Sequence, residues 1–190
     1  MPSKRTPVPM GLLCLVLLLA APTWGSNCNL LKLHQRRLNR QSVELLRRVK
    51  GKFPAECLRK IPVFSFPVKI LGIREPREAT KAVLEVLQGF LHILKDEHRW
   101  VAWKATLQKR FLPMLHAQIQ RIQGCLGEGK PAPGRRKEEW MHKLQLKKYF
   151  RSIGNFLEEN GLDSCTREFV RHEIQLDFIY LDRLTERMEI

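Results

Sequence analysis

The side chains best equipped for chemistry in this 190-residue chain are five cysteines and six histidines. Cys28, Cys57, Cys125 and Cys165 lie far apart, so no C-x2-C pair of the kind structural zinc sites use is present. Cys14 sits in an apolar stretch near the N-terminus. The remaining four form an even set, which in an oxidising compartment points to two disulfides chosen from three pairings. His34, His92, His98, His116, His142 and His172 are scattered over different predicted helices, and His172-Glu173 lacks the second histidine of a His-Glu-x-x-His site. No G-x-S-x-G elbow, phosphate loop or G-x-G-x-x-G turn occurs. The adjacent carboxylates Glu158 and Glu159 fall at a helix end beside solvent, and a disulfide-bonded cysteine is no nucleophile. The pattern argues against an enzyme and calls for no metal and no cofactor.

Lys4 and Arg5, the uncharged run from Met10 to Ala21, and the small residues Thr23 and Gly25 have the layout of a secretory signal peptide. The run is too short to span a bilayer, and no later segment is apolar enough to do so. Cleavage is expected after Gly25. Residues 1–25 are then the leader, and 26–190 form a single secreted domain large enough for a real core. The chain has 34 basic and 19 acidic residues, a net charge of +15. Without Lys4 and Arg5 the mature charge is +13. A basic extracellular protein meets acidic surfaces: sulfated glycans, anionic membranes or acidic receptor faces. Helix-turn-helix, zinc-finger and aromatic RNA-binding patterns are missing, and the secretory route disfavours nucleic acid. No Asn-x-Ser/Thr site exists, so an N-glycan is not expected.

Helical periodicity dominates the mature chain. Leu31, Leu38, Leu45 and Val49, with Leu46 beside them, predict an amphipathic first helix over 28–49, with arginines on its other faces. Gly51 and Pro54 stop it, and four prolines between 50 and 76 make a connection long enough to run the length of a helix. Ala79, Val83, Val86, Phe90, Ile93 and Leu94 mark a second helix from Pro76 to about Glu97. A third runs from about Trp100 to Cys125, with Leu107, Phe111, Leu115, Ile119, Ile122 and Leu126 inward and a kink at Pro113. The basic loop "GEGKPAPGRRK" follows. A fourth helix over 138–159 turns Leu146, Phe150, Ile153 and Leu157 inward and stops at Asn160-Gly161. The last spans 163–187, capped by Asp163 or Ser164, with Val170, Ile174, Phe178 and Leu181 inward and Arg167, Arg171, Gln175, Tyr180 and Arg183 on its outer faces. The expected class is all-α. The short turn at 160–163 makes the last two helices antiparallel neighbours, and the long first link allows a cytokine-type crossover.

The run "LKKYFRSIGNFLEENGLDSCTREFVRHEI", from Leu146 to Ile174, together with the four-cysteine frame, resembles the type I interferon family. "CNLLKLHQRR" and "FPAECLRK" are most similar to its kappa branch. The resemblance covers about residues 28–181 and departs in three places. Thr166-Arg167 replaces the Ala-Trp that usually follows the last cysteine, Ile61 stands where a basic residue is frequent, and Pro113 is unusual inside the third helix.

The resemblance implies a four-helical cytokine bundle of five helices with a long overhand loop after the first. It implies a monomeric ligand that bridges the two chains of the type I interferon receptor, activates Janus kinase/STAT signalling and induces an antiviral response. The high-affinity chain would contact Leu58, Arg59, Lys60, Arg171, His172, Gln175, Leu176 and Tyr180. The second would contact Lys147, Leu107, Leu112 and His116. Sulfated glycans are a further partner class, suggested by charge alone; their competing implication is a cationic heparin-binding or host-defence helical protein. The helix layout brings Cys28 near Cys125 at one end of the bundle and Cys57 near Cys165, and the family resemblance implies the same pairs.

Overall fold

A computed structural model describes residues 28–48, 57, 61–95, 100, 107–127, 136–161 and 163–188, the side chains of 107 and 108 excepted. Five α-helices account for most of them: α1 Leu31–Arg48, α2 Pro76–Leu94, α3 Leu112–Leu126, α4 Arg136–Asn160 and α5 Ser164–Thr185. No strand occurs among the described residues. Residues 1–25, Val49 and the segment 128–135 lie outside the described residues.

Local chemistry explains most of the boundaries. Pro76 occupies the first turn of α2, where its missing N–H costs nothing, and Glu75 caps the helix by accepting from the Glu78 N–H. Asp163 does the same for α5, accepting from the Thr166 N–H at 2.6 Å. That hydrogen bond is the main reason its carboxyl titrates below the ordinary value. α4 stops at Asn160, and Gly161 takes the left-handed conformation that reverses the chain (φ +68°). Pro113 does not reverse the chain. Leu107–Phe111 winds as a wider π-helical turn that runs directly into α3. Proline leaves the carbonyl four residues earlier without a donor and crowds it, and one extra residue per turn relieves both problems.

Cross-helix pairs give the directions. Cys28 meets Cys125, His34 meets Arg121 and Gln35 meets Gln118, so α1 and α3 are antiparallel. Arg36 with Glu186, Asn39 with Thr185 and Leu46 with Arg171 make α1 antiparallel to α5 as well. Glu78 with His142 and Phe90 with Phe150 make α2 and α4 parallel. Arg77 reaches the Leu126 carbonyl, which sets α2 antiparallel to α3 and hence parallel to α1. Two successive parallel helices require a crossover of their own length, and residues 49–75 supply it.

α2 packs against α3, α4 and α5 and is the centre of the core. Phe90 is fully buried, with the Phe178 ring 5.1 Å away and Phe150 edge-on at 5.8 Å. Gly89 admits that Phe150 ring: a Cβ there would lie 2.2 Å from it. The inward face of α1 differs from the expected one. Leu38 and Leu45 are only half-buried, and the fully buried row is Leu31, Gln35, Asn39, Ser42 and Leu46. Gln35 donates to Gln118 on α3 at 2.6 Å and to Asn39 at 2.8 Å, and Asn39 donates to Thr185 on α5 at 3.1 Å. A polar row is tolerated inside because its amides find partners on both flanking helices.

Candidate functional site

The disulfides are Cys28–Cys125 and Cys57–Cys165, with Cα atoms 5.6 and 5.3 Å apart. The second ties the buried Cys57 of the crossover to the first turn of α5. Phe66, farther along the crossover, is held between helices, stacked on Tyr180 of α5 at 4.5 Å and edge-on to Tyr149 of α4 at 5.3 Å. The crossover and the outer surface of α5 are thus fixed at two points, one covalent and one aromatic.

The α5 residues expected on outer faces or at the high-affinity chain separate into exposed, half-buried and buried groups, with Arg183 exposed and Arg167 half-buried. His172 and Leu176 are exposed, and Gln175 and Tyr180 are half-buried. Arg171 is not on an outer face: it is 7% exposed. Its guanidinium donates to Glu168 at 2.8 Å, to Gln175 at 2.8 Å and to the Leu46 carbonyl of α1 at 3.4 Å. A buried guanidinium survives because it is paired and its other donors are taken up. Arg171 is therefore a strut that orients Gln175 and locks α5 to α1. Leu58, Arg59 and Lys60 lie outside the described residues. Ile179, which sequence reasoning passed over, is 54% exposed. It continues the row His172, Leu176, Ile179, Arg183 at steps of four, three and four, a period visible once Phe178 and Leu181 are assigned inward.

The residues expected on the second surface are not brought together. Lys147 is exposed on α4 and lines a cleft of about 460 Å³ between α2 and α4 with Gln88, His92 and Arg151. Leu112, half-buried, and His116, exposed, lie one turn apart on α3 and do not line that cleft. The Leu107 side chain is outside the described residues.

Between α4 and α5 the Tyr149 hydroxyl sits 2.7 Å from Asp177 Oδ2 and 2.8 Å from Glu173 Oε1. One phenolic proton serves two carboxyl groups. Burial raises the Asp177 carboxyl well above its ordinary value, and the Glu173 charge adds to that. Glu173 is raised too, chiefly by burial. The Tyr149 hydroxyl is pushed strongly upward by its own burial and by both carboxylates, so it remains protonated. Within this cluster Asp177 is fully buried and Glu173 half-buried. Among the described residues no three His, Cys, Asp or Glu side chains are grouped to hold a metal. No helix among them is long and apolar enough to cross a membrane.

A helical bundle with a long crossover and two disulfides has the architecture of the helical cytokines. The solved structure titled zebrafish interferon 2 superposes with a TM-score of 0.68 at 21% identity, over 77% of this chain and 96% of that one. The family profile described as "Interferon: Interferon alpha/beta domain" matches residues 31–188, and the chain belongs to that family. Human interferon kappa is 31% identical, over 87% of this chain and 86% of its own length. Cattle interferon omega-1 is 30% identical, over 94% and 92%, and chicken interferon type B 28% identical, over 95% and 88%.

Proposed function

We propose that the chain is a secreted ligand of the type I interferon receptor. Residues 1–25 act as its cleaved signal peptide, and 26–190 leave the cell as a monomeric cytokine. It bridges the receptor's two chains, brings their Janus kinases together and switches on STAT-driven antiviral genes. The observation that carries this reading is the family match over nearly the whole bundle. The geometry that supports it is the fastening of the crossover to α5 through Cys57–Cys165 and Phe66. The high-affinity chain sits on Leu58, Arg59, Lys60, His172, Gln175, Leu176 and Tyr180, with Arg171 supporting from beneath and Ile179 added to the row. The second chain sits across α2, α3 and α4, on Lys147 of α4 with Leu107, Leu112 and His116 contributing separately from α3 and the turn before it. Once one chain is held, the second binds at a raised effective concentration, so two modest faces suffice.

The purified protein applied to same-species cells induces antiviral genes at limiting dose, and an antibody that blocks the receptor abolishes the response. Induction that persists under full receptor blockade sinks the reading. A second reading, a cationic glycan-binding or host-defence protein, is favoured by α1, where Lys32, Arg36, Arg37, Arg40, Arg47 and Arg48 face a single acid, Glu44. Its activity would fall steeply with salt and survive receptor blockade.

A further inference from the structure

The outward face of α4 carries an apolar cluster that none of the contacts above uses. Trp140 is 59% exposed and Met141 beside it 39%, with half-buried Leu144 one turn on. Burying a tryptophan is among the largest single contributions a side chain makes at an interface, so one left this open is poised for a partner. Lys137 lies one turn before it, and Lys147, Lys148 and Arg151 follow along the helix. All four are exposed, and none has a carboxylate within 4 Å among the described residues. Their neighbour Lys143, by contrast, is paired with Glu85. Met141 and Lys137, though not Trp140, also border a cleft of about 1030 Å³ where α4 faces the end of the crossover, with Gly72, Ile73, Arg74 and Glu75 on its far side.

We propose that Trp140, with Met141, is the apolar anchor of the surface that takes the second receptor chain, and that this chain offers an apolar pocket rimmed by carboxylates. The proposal rests on the receptor reading above. An apolar centre ringed by charge is the anatomy of a protein interface. A sulfated glycan would engage the cations and leave Trp140 in water. A lipid surface would take Trp140 and the cations but, being flat, would leave the cleft unfilled. Lys147, the second-chain contact that the family resemblance implies, lies seven residues on, about 10 Å along the helix from Trp140.

The test measures binding of the full disulfide-bonded protein to the immobilised extracellular part of each receptor chain in turn. Trp140→Ala weakens binding to the second chain by about 30-fold or more, as loss of a hot-spot residue does. It leaves the first chain within about twofold, and Trp140→Phe recovers most of the loss. Lys147→Glu with Lys148→Glu slows association with the second chain and flattens its salt dependence. If the native protein binds both chains and Trp140→Ala binds the second equally well, the anchor is wrongly placed while the receptor reading stands. An equal loss on both chains also overturns the proposal, because Trp140 would then act through the fold. If the native protein binds neither chain, the receptor reading falls and takes this one with it.

Discussion

α1 and α2 run in the same direction through the bundle but are held in it by different forces. α2 buries Ala79, Val83, Val86, Leu87, Phe90 and Leu94 and touches three other helices. α1 buries Gln35, Asn39 and Ser42 between two leucines and turns an arginine-rich face to solvent. Apolar burial is non-directional and contributes through area, so the rotation of α2 is set by its apolar stripe and by the Gly89 notch that takes Phe150. Amide hydrogen bonds are directional, and only one rotation of α1 lets Gln35 meet Gln118 while Asn39 meets Thr185. The core helix thus supplies most of the cohesion. The polar helix supplies register and depends on a covalent pin at its start.

The most severe way to break this comparison is to remove that pin. Replacing Cys28 and Cys125 together by serine opens a loop of 97 residues, and the chain-entropy model assigns it about 4 to 5 kcal/mol, less any strain. Thermal unfolding should shift down sharply while receptor selectivity in the surviving folded fraction is kept. The double serine variant at Cys57 and Cys165 should lose a similar amount of stability and also weaken high-affinity chain binding, because it frees the crossover from α5. If the first variant unfolds at the native temperature, α1 does not depend on its disulfide and the contrast with α2 collapses.

A pair of substitutions sharpens the contrast. Phe90→Ala empties the aromatic centre and should cost about 3 to 5 kcal/mol, as large-to-small changes of a buried phenylalanine do. Asn39→Ala should cost about 1 to 3 kcal/mol, the penalty for leaving buried polar partners unmatched. Asn39→Ala combined with Gln35→Leu and Gln118→Leu should recover part of that loss, since it removes the amides left unmatched, while the Thr185 hydroxyl still donates to the Leu181 carbonyl. Denaturant unfolding of the three proteins measures this. A triple variant less stable than the single one would mean that the row contributes more than pair matching.

The two helices also differ in how far they could be read before folding. Pro76, Asn160-Gly161 and Asp163 mark boundaries by local backbone chemistry, and the α2 stripe is apolar at helical spacing, so both were legible. The face of α1 was not. Leu38 and Leu45, seven and fourteen residues beyond the buried Leu31, imitate a stripe, but the partners that draw Gln35 and Asn39 inward, Gln118 and Thr185, lie 83 and 146 residues away. Arg171 failed for the same reason: a lone arginine on a helix reads as exposed until Glu168, Gln175 and the Leu46 carbonyl close around it. Ile179 was hidden by its neighbour Phe178, which belongs to the core. Local patterns specify elements, and long-range polar pairing specifies rotation.

The same pairing at the α4–α5 seam gives the smallest predicted effect and a definite sign. Asp177 is fully buried, and its carboxyl titrates well above the ordinary range because burial disfavours the charged form. Between the ordinary carboxylate value, about 4, and that raised value, the native state holds a proton that the unfolded chain has released. Stability therefore falls as pH rises through the window and is fully present below it. Glu173, also raised by burial, acts in the same direction. Asp163, lowered by its Thr166 hydrogen bond, acts in the opposite one, losing its contribution only as pH drops through its depressed value. Asp177→Asn keeps the shape and removes the titration. The native protein and this variant should melt at similar temperatures near pH 4 and diverge in favour of the variant toward pH 8, values set by the ordinary carboxylate range. Melting curves that stay parallel across that range would mean that Asp177 keeps its ordinary acidity. The Tyr149 hydroxyl would then bond two full carboxylates, and α5 would be seated on α4 by charge rather than by a shared proton.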